Sequence, residues 1–212
     1  KKPIIWVAII FGTLFLVWLE ASDRFEAYVL NDAHEKVGTQ LAIYGSYLSS
    51  EIDSQFAALD GLAAFVQSNI NTGGDIQPTQ FSLFAAGLHQ QSKIIRNFSI
   101  APQGIQRYVY PIDRNIPVRG HDLINDPRAE VREDVKRAIE SAQITTSGPY
   151  ELRQGGLGLV ARKAVYQDGT FWGLVAIVLD LPPLLAILEK EGDHKNSGLR
   201  LALRDGRNTV FH

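Results

Sequence analysis

The hydrophobic residues of this chain follow one spacing in its first third and another in the remainder. An uncharged apolar run covers Pro3–Leu19, and apolar residues then recur every three or four positions as far as Asn71. After Ser92 they alternate with polar residues or run continuously between turn residues. The first spacing is typical of helices and the second of strands, so the sequence predicts a helical N-terminal part followed by a β-rich part.

The apolar run predicts a transmembrane anchor over residues 1–19. As a helix it would be about 25 Å long, near the lower limit for crossing a bilayer, and Trp18 falls where an interfacial aromatic residue is expected. Lys1 and Lys2 precede the run. They place the N-terminus in the cytoplasm and the rest in the periplasm or outside the cell, with the anchor in the inner or plasma membrane. A cleavable signal peptide and a buried core helix are the alternatives.

Residues 20–72 are predicted to form one long stalk or spine helix. From Ala21 to Asn71 the sequence contains no proline and carries an apolar stripe at helical spacing. About fifty helical residues would reach roughly 75 Å, a length that suits a stalk along which lobes pack. Two helices broken near Gly38 or Gly45 are the alternative, because a glycine inside a helix costs about 1 kcal/mol. We also expect a homodimer to form through this helix.

Residues 73–181 are predicted to form an α+β lobe with a mixed or antiparallel sheet. Its predicted elements are a helix from Pro78 to Gln91, strands at Ile94–Ala101 and Ile105–Ile112, a helix that opens at Asp126-Pro127 and runs to Ala142, and strands at Ile144–Ser147, Tyr150–Arg153, Leu157–Tyr166 and Phe171–Asp180. The last of these strands is apolar on both faces, so we expect it in the middle of the sheet. Residues 182–212 contribute a further helix, Pro182–Lys190, and two short strands, Leu199–Leu203 and Thr209–His212.

Composition narrows the possible functions. The formal charge of -2 gives no electrostatic reason to expect nucleic acid as a partner. There is no cysteine, which excludes disulfides, a thiol nucleophile and thiolate metal sites. The five histidines show no metalloprotease spacing, and no nucleophile elbow or phosphate-binding glycine loop is present. We therefore expect no catalytic residues, no metal and no cofactor.

Two charged residues and a group of aromatic residues are candidates for a site. Arg162 and Lys163 are neighbours on a predicted strand and must face opposite sides of the sheet, so at least one of them should meet a carboxylate, a rim or a bound anion. On the first hairpin Tyr108 and Tyr110 share a face, and Phe98 lies on the preceding strand. These aromatic residues predict either a pocket wall or ordinary core.

Several short motifs, taken in order, resemble the CHASE domain. They are Gly120-His121-Asp122-Leu123, Asp126-Pro127-Arg128, Ser147-Gly148-Pro149 followed by Leu152, Gln154-Gly155-Gly156, Arg162 before Val165-Tyr166, and Phe171-Trp172-Gly173. CHASE domains are extracytoplasmic sensor domains of bacterial histidine kinases and cyclic-di-GMP enzymes and of plant cytokinin receptors. The similarity is clearest over residues 95–190.

The resemblance implies a long N-terminal helix that carries two stacked PAS-like lobes. The membrane-distal, ligand-binding lobe would be residues 73–181, and residues 182–212 would begin the membrane-proximal lobe. The implied function is small-molecule sensing for a cytoplasmic histidine kinase or cyclic-di-GMP output module. The alternative is a membrane-tethered assembly or adhesion module whose interior is filled by side chains.

We hypothesise that the ligand lies between the sheet and its covering loops. Phe98, Tyr108, Tyr110 and Trp172 would line the apolar part of this cleft, while Arg162 would hold a polar or anionic group of the ligand.

Overall fold

The computed structural model of the chain describes residues 2–191, 203–204 and 210–211. The chain divides into two compact units, residues 1–47 and residues 48–212. Helix α1 runs without a break over Lys2–Asn71. The predicted long helix is therefore confirmed, and Gly38 and Gly45 do not interrupt it.

The described part of the first unit is the segment of helix α1 up to Tyr47. None of its described side chains, which are those of residues 12–47 apart from residue 27, is buried. Within the part of the chain that the structure describes, no helix combines the length and the hydrophobicity needed to cross a bilayer. The anchor predicted over residues 1–19 is thus not confirmed.

The second unit is an α+β lobe that begins inside the predicted stalk, at Leu48. After α1 its elements are α2 (Pro78–His89), β1 (Ile95–Pro102), β2 (Tyr108–Tyr110), a 3-10 turn (Ile116–Val118), α3 (Ala129–Ser141), β3 (Thr145–Glu151), β4 (Leu157–Gln167), β5 (Thr170–Asp180), α4 (Leu181–Glu191), β6 (Leu203–Arg204) and β7 (Val210–Phe211). Helices cover both faces of one main sheet, which is why the central strands can be apolar on both sides.

The main sheet is antiparallel throughout, in the order β2-β1-β5-β4-β3. The prediction that the last long strand lies in the middle is confirmed, since β5 pairs with β1 on one side and with β4 on the other. The hairpin from Ile94 to Ile112 is confirmed as an antiparallel pair, although β2 is shorter than predicted. Strands β6 and β7 form a separate antiparallel pair, and the other residues of the two predicted C-terminal strands lie outside the described residues.

Alternation along β5 divides the lobe into two cores. Val175, Ile177 and Leu179 pack with α1 and α2, including the fully buried Leu59 and Phe81. On the other face, the side chains that pack with helix α3 are Leu174, Ala176 and Val178 of β5 and Val131, Val135 and Ala138 of α3. The first core is the larger, and the second is the one that borders the candidate site.

Two predicted element boundaries are wrong. Helix α3 begins at Ala129 with Arg128 as its N-cap residue, so Asp126 and Pro127 do not open it. The carboxylate of Asp126 is used elsewhere, as described below. Strand β3 also continues through Ser147-Gly148-Pro149, where a turn was predicted, and the ladder to β4 shifts register between Ser147 and Tyr150. The local turn signal is accommodated there as a bulge.

Candidate functional site

A cleft opens on the face of the sheet that carries α3. Its walls come from β4, β5, the N-terminal part of α3, the segment from Gln106 to Leu123 and the β3–β4 turn. The polar residues that line it are Gln106, His121, Arg128, Tyr150, Glu151, Arg153, Gln154 and Arg162. The cleft encloses about 450 Å³ when its open mouth is included, but the centre of a water molecule can reach only about 50 Å³ of that space. It is therefore a narrow polar slot rather than a wide cavity.

Arg162 lies at the floor of this slot. Its side chain leaves β4 on the α3 side, and the residue is only 3% exposed. The guanidinium lies 5.9 Å from the centre of the Tyr150 ring, a cation–π contact, while Nε and Nη1 have no hydrogen-bond partner. Burial lowers the pKa of Arg162 to about 10, so at neutral pH the residue is still a cation.

The neighbouring Lys163 behaves as the alternation predicts. Its side chain points to the opposite face, where Nζ contacts Oδ1 of Asp60 on α1 at 2.7 Å. Of the two charged neighbours, Lys163 has a carboxylate partner and Arg162 does not. The sequence prediction that at least one of them meets a carboxylate, a rim or a bound anion is confirmed by the pair that Lys163 forms with Asp60.

Asp126 is a fully buried carboxylate that contacts residues of the slot, and its charge is already compensated. It is 0% exposed and accepts hydrogen bonds from His121 Nε2 at 2.7 Å and from the backbone N–H of Arg128 at 2.8 Å. Burial alone would raise the pKa of Asp126, but the hydrogen bonds from Arg128 and His121 outweigh it and hold this pKa well below its ordinary value. Because a carboxylate can only accept, His121 carries its proton on Nε2.

Asp134 of α3 is the acid whose charge acts most strongly on Arg162, and it too already accepts hydrogen bonds from other residues. It accepts hydrogen bonds from Arg137 Nη2 at 2.6 Å and from the hydroxyl of Tyr150. Asp134 favours the charged form of Arg162 electrostatically, but no direct hydrogen bond joins them. The positive charge of Arg162 is therefore left without a contacting anion among the described residues.

Buried polar atoms without a partner concentrate around this slot. Among the described residues they are Asn97 Nδ2, Gln106 Oε1, Asn115 Oδ1, Thr145 Oγ1 and the Nε and Nη1 atoms of Arg162. Gln106 and Arg162 line the slot, and Thr145 is the cross-strand partner of Arg162. Each buried polar group left unpaired costs about 1–3 kcal/mol. The three unpaired atoms that line the slot, on Gln106 and Arg162, indicate a site that water or a ligand would complete.

The aromatic residues predicted to line the cleft lie on the other face of the sheet. Phe98 is 0% exposed, and the ring of Tyr108 lies 5.9 Å from that of Phe81. Tyr110 and Trp172 pack against the same core. None of the four lines the slot that contains Arg162, so the structure does not bring the predicted aromatic wall and the predicted anion-binding residue together.

Several residues that line the slot, and Asp126, which contacts two of them, were not predicted as site residues. His121, Asp126, Arg128 and Gln154 all belong to the short motifs that carry the resemblance given above, and this was the signal that could have identified them. Gln106 has no such signal, because its burial depends on a loop contact, a hydrogen bond from its backbone N–H to the carbonyl of His121 at 2.9 Å.

Comparison with known proteins gives a family and a fold. The family model of the CHASE domain matches residues 74–210. No protein with a curated description matches the chain.

Three solved structures illustrate the fold. The ligand-binding domain of the amino acid chemoreceptor PctC of Pseudomonas aeruginosa PAO1, in complex with GABA, has a TM-score of 0.57 at 18% identity, over 74% of this chain and 68% of that one. An extracellular domain assigned to a histidine kinase, rpHK1S-Z16, has a TM-score of 0.52 at 20% identity, over 67% of this chain and 54% of that one. An extracellular ligand binding receptor from Desulfohalobium retbaense DSM5692 has a TM-score of 0.50 at 23% identity, over 68% of this chain and 25% of that one.

The chain thus spans a quarter of the receptor from Desulfohalobium retbaense and about half of the kinase domain. At these identities the structures establish the fold alone, while the family match covers most of the chain, including all of α2, α3 and the main sheet. This chain belongs to the CHASE domain family.

Proposed function

We propose that this chain is an extracytoplasmic small-molecule-sensing domain of a signal-transduction receptor, and that its ligand binds Arg162 through an anionic group. Membership of the CHASE family supports the sensor role. The structural neighbours are described as ligand-binding or extracellular domains, which supports the same role. Under this proposal the chain binds its ligand and does not transform it.

The state of Arg162 is the observation that carries the proposal. A buried, unpaired cation is unfavourable by several kcal/mol in a protein interior, so it persists only where something compensates for it. Asp126 and Asp134 are taken by other donors. A carboxylate or phosphate oxygen that reached the floor of the slot would accept from the two free N–H-bearing nitrogens of Arg162.

The width of the slot favours a small anionic group over a large one. A carboxylate suits a space of this size better than a phosphate ester does. The related chemoreceptor PctC was solved with GABA, a small molecule that carries a carboxylate. We extend this ligand class, small carboxylates, to the present chain.

The signalling step follows from the position of Arg162 on β4. A ligand shifts a receptor only by the difference between its affinities for two states. Neutralising Arg162 would change the electrostatics on one face of β4, and the next residue, Lys163, holds α1 through Asp60 on the other face. We propose that this adjacency passes ligand occupancy to α1, and through a homodimer of α1 to a histidine kinase or cyclic-di-GMP output module.

The test is ligand-dependent thermal stabilisation of the wild type, Arg162→Met and Arg107→Met, screened against a panel of small carboxylates. Arg107 is exposed and does not line the slot, so its variant is the matched control. We expect stabilisation of the wild type and of the control and none of Arg162→Met. Because Arg162→Met removes a buried charge, its ligand-free melting temperature should not fall.

Equal ligand stabilisation of Arg162→Met and wild type would contradict the proposal. Absence of stabilisation of the wild type by any carboxylate would favour the alternative, an assembly module that does not sense. On the α1 side packed hydrophobic side chains cover the sheet, as that alternative requires, whereas the slot on the α3 side with its unpaired Arg162 is not explained by it.

A further inference from the structure

A second cavity lies beside the slot, at the end of the sheet where β1 begins and β5 ends. It is lined by His89, Arg96, Arg114, Asn115, Gln154 and Asp180, among others. The centre of a water molecule can reach about 510 Å³ of it, compared with about 50 Å³ in the slot. The slot alone accommodates a charged group but not a whole organic molecule, so the remainder of a ligand anchored at Arg162 must extend into neighbouring space.

Gln154 forms the wall between the two spaces, because its side chain lines both. Its backbone position is set by the β3–β4 turn, which is closed by hydrogen bonds between Leu152 and Gly156 at 2.9 Å and between Gly155 and Leu152 at 2.8 Å. The side chain itself is held by one long hydrogen bond, from Nε2 to Oδ1 of Asn97 at 3.3 Å. A bond of this length is weak, so the wall can open without moving the turn.

Asn115 gives the second cavity a defined polarity. It is 0% exposed, and its Nδ2 donates to the carbonyl of Pro111 at 2.7 Å. Because a carbonyl can only accept, this bond fixes which end of the amide is nitrogen, and Oδ1 is left as a buried acceptor without a donor. A ligand group that donates a hydrogen bond would satisfy it.

The charges of the second cavity favour a neutral donor over a cationic one. The carboxylate that lines this cavity belongs to Asp180 and is paired with Arg96, which also donates to the carbonyl of Gly155. Arg114 is exposed and makes no ion pair among the described residues. An ammonium group would face this positive charge without a free carboxylate, whereas an amide N–H or a hydroxyl would not be repelled.

We propose that the ligand site is bipartite. Resting on the function proposed above, this inference assigns to the ligand an anionic end at Arg162 and a neutral hydrogen-bond donor, an amide or a hydroxyl, at Asn115. Gln154 is the residue that determines specificity for ligand length: it turns away from Asn97 when a long ligand spans both spaces.

The experiment uses the whole 212-residue chain and two probes of equal length. Glutaramate joins a carboxylate to a carboxamide through three methylenes, and 5-methylhexanoate replaces the carboxamide by an isopropyl group of the same size. We expect the wild type to bind glutaramate at least about tenfold more tightly, the gain of roughly one satisfied buried hydrogen bond, as measured by calorimetry.

Variants separate the two ends of the ligand. In Asn115→Ala the preference for glutaramate should disappear, and in Gln154→Ala, a change in a partly exposed turn that leaves the core intact, both probes should bind more tightly. Arg162→Met should bind neither. If Asn115→Ala does not fold, the Gln154→Ala result decides.

The outcomes distinguish the two proposals. Equal, Arg162-dependent binding of both probes to the wild type, or a preference that survives Asn115→Ala, or Gln154→Ala affinities equal to those of the wild type, would overturn the bipartite site and leave the sensor proposal standing. Binding of neither probe to the wild type would overturn the bipartite site alone, because the sensor proposal is tested on the wider panel of small carboxylates. Binding that survives Arg162→Met would overturn both.

Discussion

The charged residues around the slot differ in whether they have a partner. Asp126 accepts hydrogen bonds from Arg128 and His121, and Asp134 accepts them from Arg137 and Tyr150. Among the described residues Arg162 has no anionic partner and contacts the face of the Tyr150 ring. A lobe selected for stability alone would gain by replacing such a cation with an apolar residue of similar volume. A buried, unpaired cation lowers the stability of the fold, and such losses of stability are typical of binding sites.

Asp126 should make stability depend on pH in the acid range. The ordinary pKa of this carboxyl is 3.8 and the folded state holds it lower, so its contribution is complete above about pH 4 and is lost as pH falls further. Asp126→Asn should cost about 3 kcal/mol at pH 7, because it removes the buried anion that pairs with the partly exposed Arg128 and accepts from His121. Urea unfolding at several pH values measures both effects.

The matched control is Asp113→Asn, which changes an exposed carboxyl. It should leave stability nearly unchanged at every pH. If the difference between wild type and Asp126→Asn were the same at pH 3 as at pH 7, Asp126 would not be the carboxylate that these hydrogen bonds stabilise.

At the scale of elements, close approach of two strands explains a glycine in one of the sequence motifs. In Phe171-Trp172-Gly173, a Cβ on Gly173 would lie 2.5 Å from the carbonyl oxygen of Ala101 and 2.9 Å from the Cα of Pro102. Both atoms belong to the backbone of β1, which cannot move aside without opening its ladder with β5.

Gly173→Ala should therefore destabilise the lobe by about 3 kcal/mol, the upper range for overpacking. Gly169→Ala is the control in the same hairpin: its φ of +77° strains an alanine, but nothing lies within 4 Å of the added Cβ. That change should cost about 1 kcal/mol. Chemical denaturation of the two variants compares them, and equal losses would mean that strand contact is not what requires Gly173.

Local patterns were sufficient to predict which elements form. The helical stripe up to Asn71 and the apolar run of β5 are properties of neighbouring residues, and both predictions are confirmed. The start of α3 was mispredicted because Asp126 forms hydrogen bonds with His121, a partner outside the helix. Which residues share a site depends on register: Arg162 lies opposite Ala176, on the face away from the aromatic residues, and no spacing along the chain specifies that pairing.

At the scale of the whole molecule, the hydrophobic core of the lobe is assembled from residue 48 onwards. Leu48, Ile52 and Phe56 pack against it, and Leu59 and Leu62 are fully buried. None of the described side chains of the first unit is buried. The stability of the lobe should thus be independent of the first 47 residues.

A chain that starts at Leu48 should melt within about 2 °C of the full chain, less than the shift that roughly 1 kcal/mol produces at this size. Differential scanning calorimetry of both chains in the same detergent-containing buffer measures this. A loss of more than about 5 °C would show that the first unit stabilises the lobe.

The two faces of strand β5 pack against different parts of the lobe, and this separation suggests a practical use for the domain. Odd-numbered positions from Val175 to Leu179 hold the sheet against α1 and α2, while even-numbered positions face α3 and the slot. A combinatorial library confined to the residues that line the slot would vary recognition while leaving the larger core against α1 and α2 unchanged. Such a division makes the scaffold a suitable starting point for biosensors retargeted to new analytes.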